Sequence, residues 1–134
     1  NARELDLLAR LMRAEAEGEG ILGMLLVGNV GVNRVIANCL DFVNIRTITN
    51  MVFQSPGGFE AVRFSYFYQP VREIDRRQAR KVLQGERFVP ADRALWFYNP
   101  FNNPCRAQWF GQWNTGRWKS HCFYAPVPSQ NCGI

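Results

Sequence analysis

The sequence predicts an α+β fold, mostly helical, with a small β region in its C-terminal part. The prediction rests on apolar residues recurring at helical spacing near the start, on a charged helical segment around residue 80, and on a change of character after Pro90. The length of 134 residues, nearly half of them apolar, suits one domain spanning 1–134 around one hydrophobic core.

From Glu4 to about Glu17 there is no Pro or Gly, and Leu5, Leu8, Leu11, Met12 and Ala16 fall on one helical face. Gly18 and Gly20 end that helix. Ile21 to about Ala37 is apolar nearly all round and reads as a buried second helix. Its Gly23, Gly28 and Gly31 each cost about 1 kcal/mol relative to Ala, which points to close approach by a neighbouring segment. Ile45 to Gln54 reads as a short third helix before Pro56-Gly57-Gly58, and Val71 to Leu83 as a fourth ending at Gly85. Arg72, Arg76 and Arg80 line one side of the fourth helix and read as a solvated face, with substrate contact as a secondary reading.

Beyond Pro90 aromatics crowd between Pro, Asn and Gly. Ala94 to Tyr98 and His121 to Tyr124 are the expected strands, joined by a loop long enough to need an anchor. Cys39, Cys105, Cys122 and Cys132 allow two disulfides in three pairings, or four free thiols.

Lys and Arg outnumber Asp and Glu by 16 to 11, and all cations but Lys81 and Lys119 are arginine. That balance favours an anionic partner: nucleic acid, an acidic membrane surface or an acidic polysaccharide. No zinc finger, helix-turn-helix or RRM-type signature supports nucleic acid. No run reaches the ~18 apolar residues of a bilayer span, so no membrane insertion is expected. No segment at the start has the order of a signal peptide, although a chain opening on Asn1 leaves upstream residues open.

Glu15 follows Met12, Leu11 and Leu8 by three, four and seven residues, which sets its carboxyl on the apolar stripe. A carboxyl there resists ionisation and can hold a proton for a leaving group such as a glycosidic oxygen. Glu19 lies one turn on if the helix continues, and Glu17 turns away. Spacing alone does not separate a catalytic acid from ordinary surface glutamates near a helix end. A zinc enzyme is disfavoured, with His121 the single histidine and no metal site expected. A Cys–His peptidase is disfavoured too, because strand alternation turns Cys122 away from His121. No serine-hydrolase or nucleotide-binding motif is present.

Arg13-Ala14-Glu15-Ala16-Glu17-Gly18-Glu19-Gly20, then Gly23 and Asn33-Arg34-Val35, resembles the signature of the SleB/CwlJ family of bacterial cell-wall hydrolases. The likeness continues through Thr47 to Gln54, Phe59-Glu60-Ala61-Val62, Ala94 to Pro100 and His121 to Tyr124. The acidic form of the motif and the cysteine positions are more similar to the CwlJ branch.

The resemblance implies a lysozyme-like, lytic-transglycosylase-like fold and a spore cortex-lytic enzyme that cuts peptidoglycan glycan strands during germination. It maps the essential glutamate onto Glu15. It also implies a place at the coat/cortex boundary, a coat-protein partner, and activation by calcium dipicolinate; the sequence itself requires no cofactor. Glu19, Asn33, Trp96, Tyr98, His121 and Tyr124 are the expected substrate-binding residues, with core packing the alternative for Trp96, Tyr98, His121 and Tyr124, and a helix cap or buried hydrogen bond the alternative for Asn33. Glu19, Asp41 and Glu60 are the candidates for a second carboxylate. Lytic transglycosylation is favoured over hydrolysis, and a non-catalytic glycan-binding coat scaffold is the competing class.

Overall fold

The computed structural model describes residues 1–134 and holds four α-helices followed by a four-stranded sheet. Helix α1 spans Ala2–Ala16 and starts where the Asn1 side chain accepts the Glu4 N–H at 2.9 Å. Its apolar stripe ends at a single 3-10 turn, Glu17–Glu19, and α2 (Gly20–Ile36) begins at Gly20, whose φ of +83° suits a residue without a Cβ. The first helix thus ends within a residue of the expected Glu17, and Glu19 lies in a tighter turn rather than on its continuation.

Helix α2 is buried on both sides. Val27 shares one core with Leu8, Leu11 and Met12 of α1, while Leu26 and Val30 pack with Ala91, Ala94 and Phe123 on the sheet side. Two of its glycines are contact points, as their cost suggested. A Cβ on Gly28 would stand 2.9 Å from Met12 and Val82, and one on Gly31 would stand 2.9 Å from Met51. The run Ala2–Ile36 has the length and composition of a membrane span, but 67% of its most apolar window is buried inside the protein. That burial is what a core helix pair shows.

Helix α3 is shorter than expected, Ile48–Val52, because Thr47 caps it by accepting the Asn50 N–H and Ile45 is spent in the core ahead of the cap. Helix α4 spans Glu73–Leu83, two residues short of the expected start, because the Asp75 carboxylate takes the Arg72 N–H at 3.0 Å and fixes the entry there. Arg72, Arg76 and Arg80 form surface ion pairs with Glu17 and Asp75, Asp6 and Glu73, and Glu73 respectively. Such a face is solvated, as read. Buried Arg13 donates to the carbonyls of Tyr66, Gln69 and Pro70 and so straps the segment before α4 onto α1.

The sheet contains β1 (Trp96–Tyr98), β2 (Gln108–Trp109), β3 (Gln112–Trp118) and β4 (His121–Ala125) in the order β1-β4-β3-β2, all antiparallel. The β2–β3 hairpin was not expected, since Gly111, Asn114, Gly116 and Arg117 interrupt its apolar alternation. The cysteines form two disulfides, Cys39–Cys132 and Cys105–Cys122. The first ties the C-terminus to the segment after α2, and the second ties the β1–β2 loop to β4.

Candidate active site

The last turn of α1 carries Glu15 out of the core at the edge of its apolar stripe, where cover by neighbouring elements stops. The carboxyl faces a cleft of about 350 Å³ closed by Arg34 from α2, by the 58–60 segment, by Phe97 and Tyr98 of β1, and by Asn99 and His121. Its Oε1 accepts the Ala61 N–H at 3.2 Å. Burial pushes the Glu15 carboxyl above the ordinary carboxylate range, and the negative charge of Glu60 adds to this. The Ala61 N–H and the Arg34 guanidinium pull the other way without cancelling it.

Arg34 is an anchored cation. Its guanidinium lies 4.5 Å from the Phe59 ring centre and 5.1 Å from that of Phe42, and it donates to the Leu95 carbonyl at 2.8 Å and the Gly57 carbonyl at 3.2 Å. Burial lowers it to about 10, which keeps it charged at neutral pH. Arg34 and Asn99 were not singled out from sequence as site residues. An arginine on a helix otherwise apolar nearly all round was the available signal for the first; for the second it was only its place in the shared Ala94 to Pro100 motif.

The cleft continues on both sides of Glu15. On one side a hollow of about 360 Å³ shares Glu15, Asn99 and His121 and adds Glu19, Tyr66 and Ser120. On the other, about 300 Å³ shares Arg34, Gly58 and Phe97 and adds Trp96, Trp109 and Phe110. The result is a groove with Glu15 midway, a shape suited to a chain that extends past the acid in both directions.

The other expected binding residues divide. Tyr98 and His121 line the centre and Trp96 the aromatic section, packed on Phe42 at 5.6 Å. His121 meets Phe97 edge-on at 4.8 Å, and burial lowers its pKa, with Glu19 only partly opposing. Glu19 reaches the groove wall with its carboxylate already engaged: it accepts the Ser120 N–H at 2.8 Å and the Ser120 hydroxyl at 3.2 Å, and lies 3.5 Å from His121 Nδ1.

Two expected residues lie elsewhere. Asn33 is 3% exposed, donates to the carbonyls of Ala91, Asp92 and Ala94, and accepts from Arg87. It pins the segment before β1 to α2 and does not reach the groove, because every polar atom it has is used by the backbone and by Arg87. Tyr124 is fully buried behind Tyr98, its ring 5.5 Å away and its hydroxyl donating to the Arg106 carbonyl at 2.7 Å. Of the candidate second carboxylates, Glu60 shares the central cleft, while Asp41 lies in the aromatic section.

Residues 18–124 match the profile of the cell wall hydrolase family. The chain belongs to that family. Among its relatives, the cell wall hydrolase CwlJ of Oceanobacillus iheyensis is 67% identical over 95% of this chain and 89% of its own length. The CwlJ of Bacillus subtilis is 55% identical over 92% and 86%. The fold is similar to the catalytic domain of the Bacillus cereus SleB protein, with a TM-score of 0.72 at 24% identity, covering 92% of this chain and 91% of that one. The family's lysozyme-like architecture, mostly helical with a small C-terminal sheet, is therefore the fold of this chain, and its membership makes it a peptidoglycan-degrading enzyme.

Proposed function

We propose that this cell-wall hydrolase cuts the glycan strands of spore cortex peptidoglycan during germination, with Glu15 as the acid and then the base. The observation that carries the reading is a single half-buried carboxyl, raised above its ordinary range, midway along an open groove. A raised carboxyl keeps its proton at higher pH and can deliver it to a glycosidic oxygen.

Protonated Glu15 gives its proton to the oxygen linking a muramic-type sugar to the next residue, and the bond from that oxygen to C1 breaks. Positive charge then develops over C1 and the ring oxygen. The Glu15 carboxylate takes the proton of the same sugar's C6 hydroxyl, O6 bonds to C1, and a 1,6-anhydro end forms. Glu15 regains its proton and the strand is cut without water. A protein of like fold, from Bacillus anthracis, is described as a germination-specific lytic transglycosylase, in keeping with this route. Glu60 favours the hydrolytic alternative, since it is the second carboxylate in the central cleft.

The resemblance to the CwlJ branch extends the proposal to the coat/cortex boundary, to a coat-protein partner and to activation by calcium dipicolinate. No three His, Cys, Asp or Glu side chains converge to hold a metal ion.

The test is mass spectrometry of fragments released from decoated spore cortex by the wild type, Glu15→Gln and Glu60→Gln. Anhydro ends from the wild type and from Glu60→Gln, with none from Glu15→Gln, are expected. Reducing ends that vanish in Glu60→Gln would assign hydrolysis, and equal release by Glu15→Gln would remove it from catalysis.

A further inference from the structure

Phe110 occupies a position that folding alone disfavours. Trp109 pairs with Gln112, so Phe110 and Gly111 form a two-residue hairpin turn, with φ of +50° and +84°. Both central residues at positive φ define a turn that favours Asn-Gly or Gly-Gly, and a bulky side chain there is an outlier. Phe110 is also 83% exposed, so its ring gains little from burial. A strained backbone holding an exposed aromatic ring at a groove points to function.

The surroundings identify that function. Phe110 lines the aromatic section of the groove, which adjoins the Glu15 cleft through Arg34, Gly58 and Phe97. It is the outermost ring of a packed file: buried Tyr124 lies 5.5 Å from Trp109, and Trp109 lies 5.5 Å from Phe110. The inner rings fix Trp109, and Trp109 sets the place of the turn.

We propose that Phe110 is a substrate-binding residue, a clamp at the mouth of the aromatic section that stacks on a sugar ring of the strand beyond the bond being cut. The ring faces of pyranose sugars carry C–H groups that suit an aromatic platform. The extended occupant follows from the continuity of this section with the cleft, and the inference rests on the glycan-cutting reading of that cleft.

The experiment compares wild type, Phe110→Asn and Glu15→Gln for co-sedimentation with insoluble cortex glycan stripped of stem peptides, alongside thermal unfolding. Phe110→Asn is expected to raise the midpoint of unfolding, because Asn suits the turn. It is also expected to weaken glycan binding roughly tenfold, the scale of one lost aromatic contact. A residue that served only the fold would not move the two readouts in opposite directions. Binding unchanged in Phe110→Asn, or no binding by the wild type, would overturn the clamp. Glu15→Gln is expected to bind and not cut; if it cuts, the role of Glu15 fails while the binding comparison still decides the role of Phe110.

Discussion

The Glu15 carboxylate accepts the Ala61 N–H at 3.2 Å, joining the end of α1 to the first turn of the Glu60–Arg63 segment across the cleft floor. One oxygen is thereby oriented by the backbone, while desolvation holds the proton on the group.

The pH dependence of glycan cutting follows from that shift. The acid form is needed for the first step, and its pKa lies above the ordinary carboxylate value, so activity should persist past that value and fall as pH rises through the raised one. Initial rates of release from cortex against pH are expected to show this alkaline limb. Arg34→Gln removes a charge that stabilises the ionised form and should move the limb to higher pH in whatever fraction folds. A limb that stays in place would separate it from Glu15.

Stability carries the same linkage with a definite sign. A folded-state pKa above the unfolded one means that folding favours the protonated carboxyl. Its contribution is full below the unfolded value of about 4.3 and is lost as pH rises through the folded one. Glu15→Gln, whose amide oxygen still accepts from Ala61, should therefore unfold at a higher temperature than the wild type at neutral pH. The difference should shrink on acidification below about pH 4. Its glycan-cutting rate should drop by roughly 10²- to 10⁴-fold, the usual worth of a general acid.

Spacing set Glu15 on the apolar stripe but did not separate a catalytic acid from a surface glutamate; the resemblance of its motif to the SleB/CwlJ signature did. The same resemblance singled out Trp96, Tyr98 and His121, which do line the groove. It misplaced Tyr124, because β4 is covered on both faces and alternation does not say which face meets solvent. Asn33 was ambiguous for a similar reason: an Asn on a buried helix serves either ligand or backbone, and only the carbonyls of Ala91, Asp92 and Ala94 decide. The cysteine pairing is a long-range contact, and spacing carries no information about it.

Asn33→Ala checks the anchoring role. The Asp92 and Ala94 carbonyls and Arg87 Nε would lose their partner in the core, while the Ala91 carbonyl keeps the Ala94 N–H; at roughly 1–3 kcal/mol for each stranded group, with partial relaxation, the cost should be about 2–4 kcal/mol. Denaturant unfolding should register that loss, while KM for the folded fraction stays near the wild-type value. A raised KM at unchanged stability would return Asn33 to the groove.

Glu19→Ala should act on both counts at once. It leaves the Ser120 N–H and hydroxyl without their shared acceptor and frees the turn before His121. Hydrogen bonds to a charged group contribute about 1.5–3 kcal/mol, so a loss of that order in stability is expected together with a higher KM. Glu19→Gln, which keeps an acceptor oxygen, should recover part of each.

The two disulfides should separate stability from activity. Cys39–Cys132 closes a span of 93 residues and Cys105–Cys122 one of 17, so the chain-entropy cost of removal is about 4.6 kcal/mol for the first and about 3 kcal/mol for the second. Cys39→Ala/Cys132→Ala is expected to lower the unfolding midpoint further and to leave the groove intact, since neither residue lines it. Cys105→Ala/Cys122→Ala releases the loop whose Arg106 N–H donates to the Tyr98 hydroxyl at 3.3 Å and whose Arg106 carbonyl holds Tyr124. Tyr98 lines the cleft beside Glu15, so this pair should raise KM for glycan strands at temperatures where the protein is still folded. Unfolding curves and initial rates on the two double variants decide the matter: if both lose activity only in proportion to their unfolded fraction, the loop does not position Tyr98.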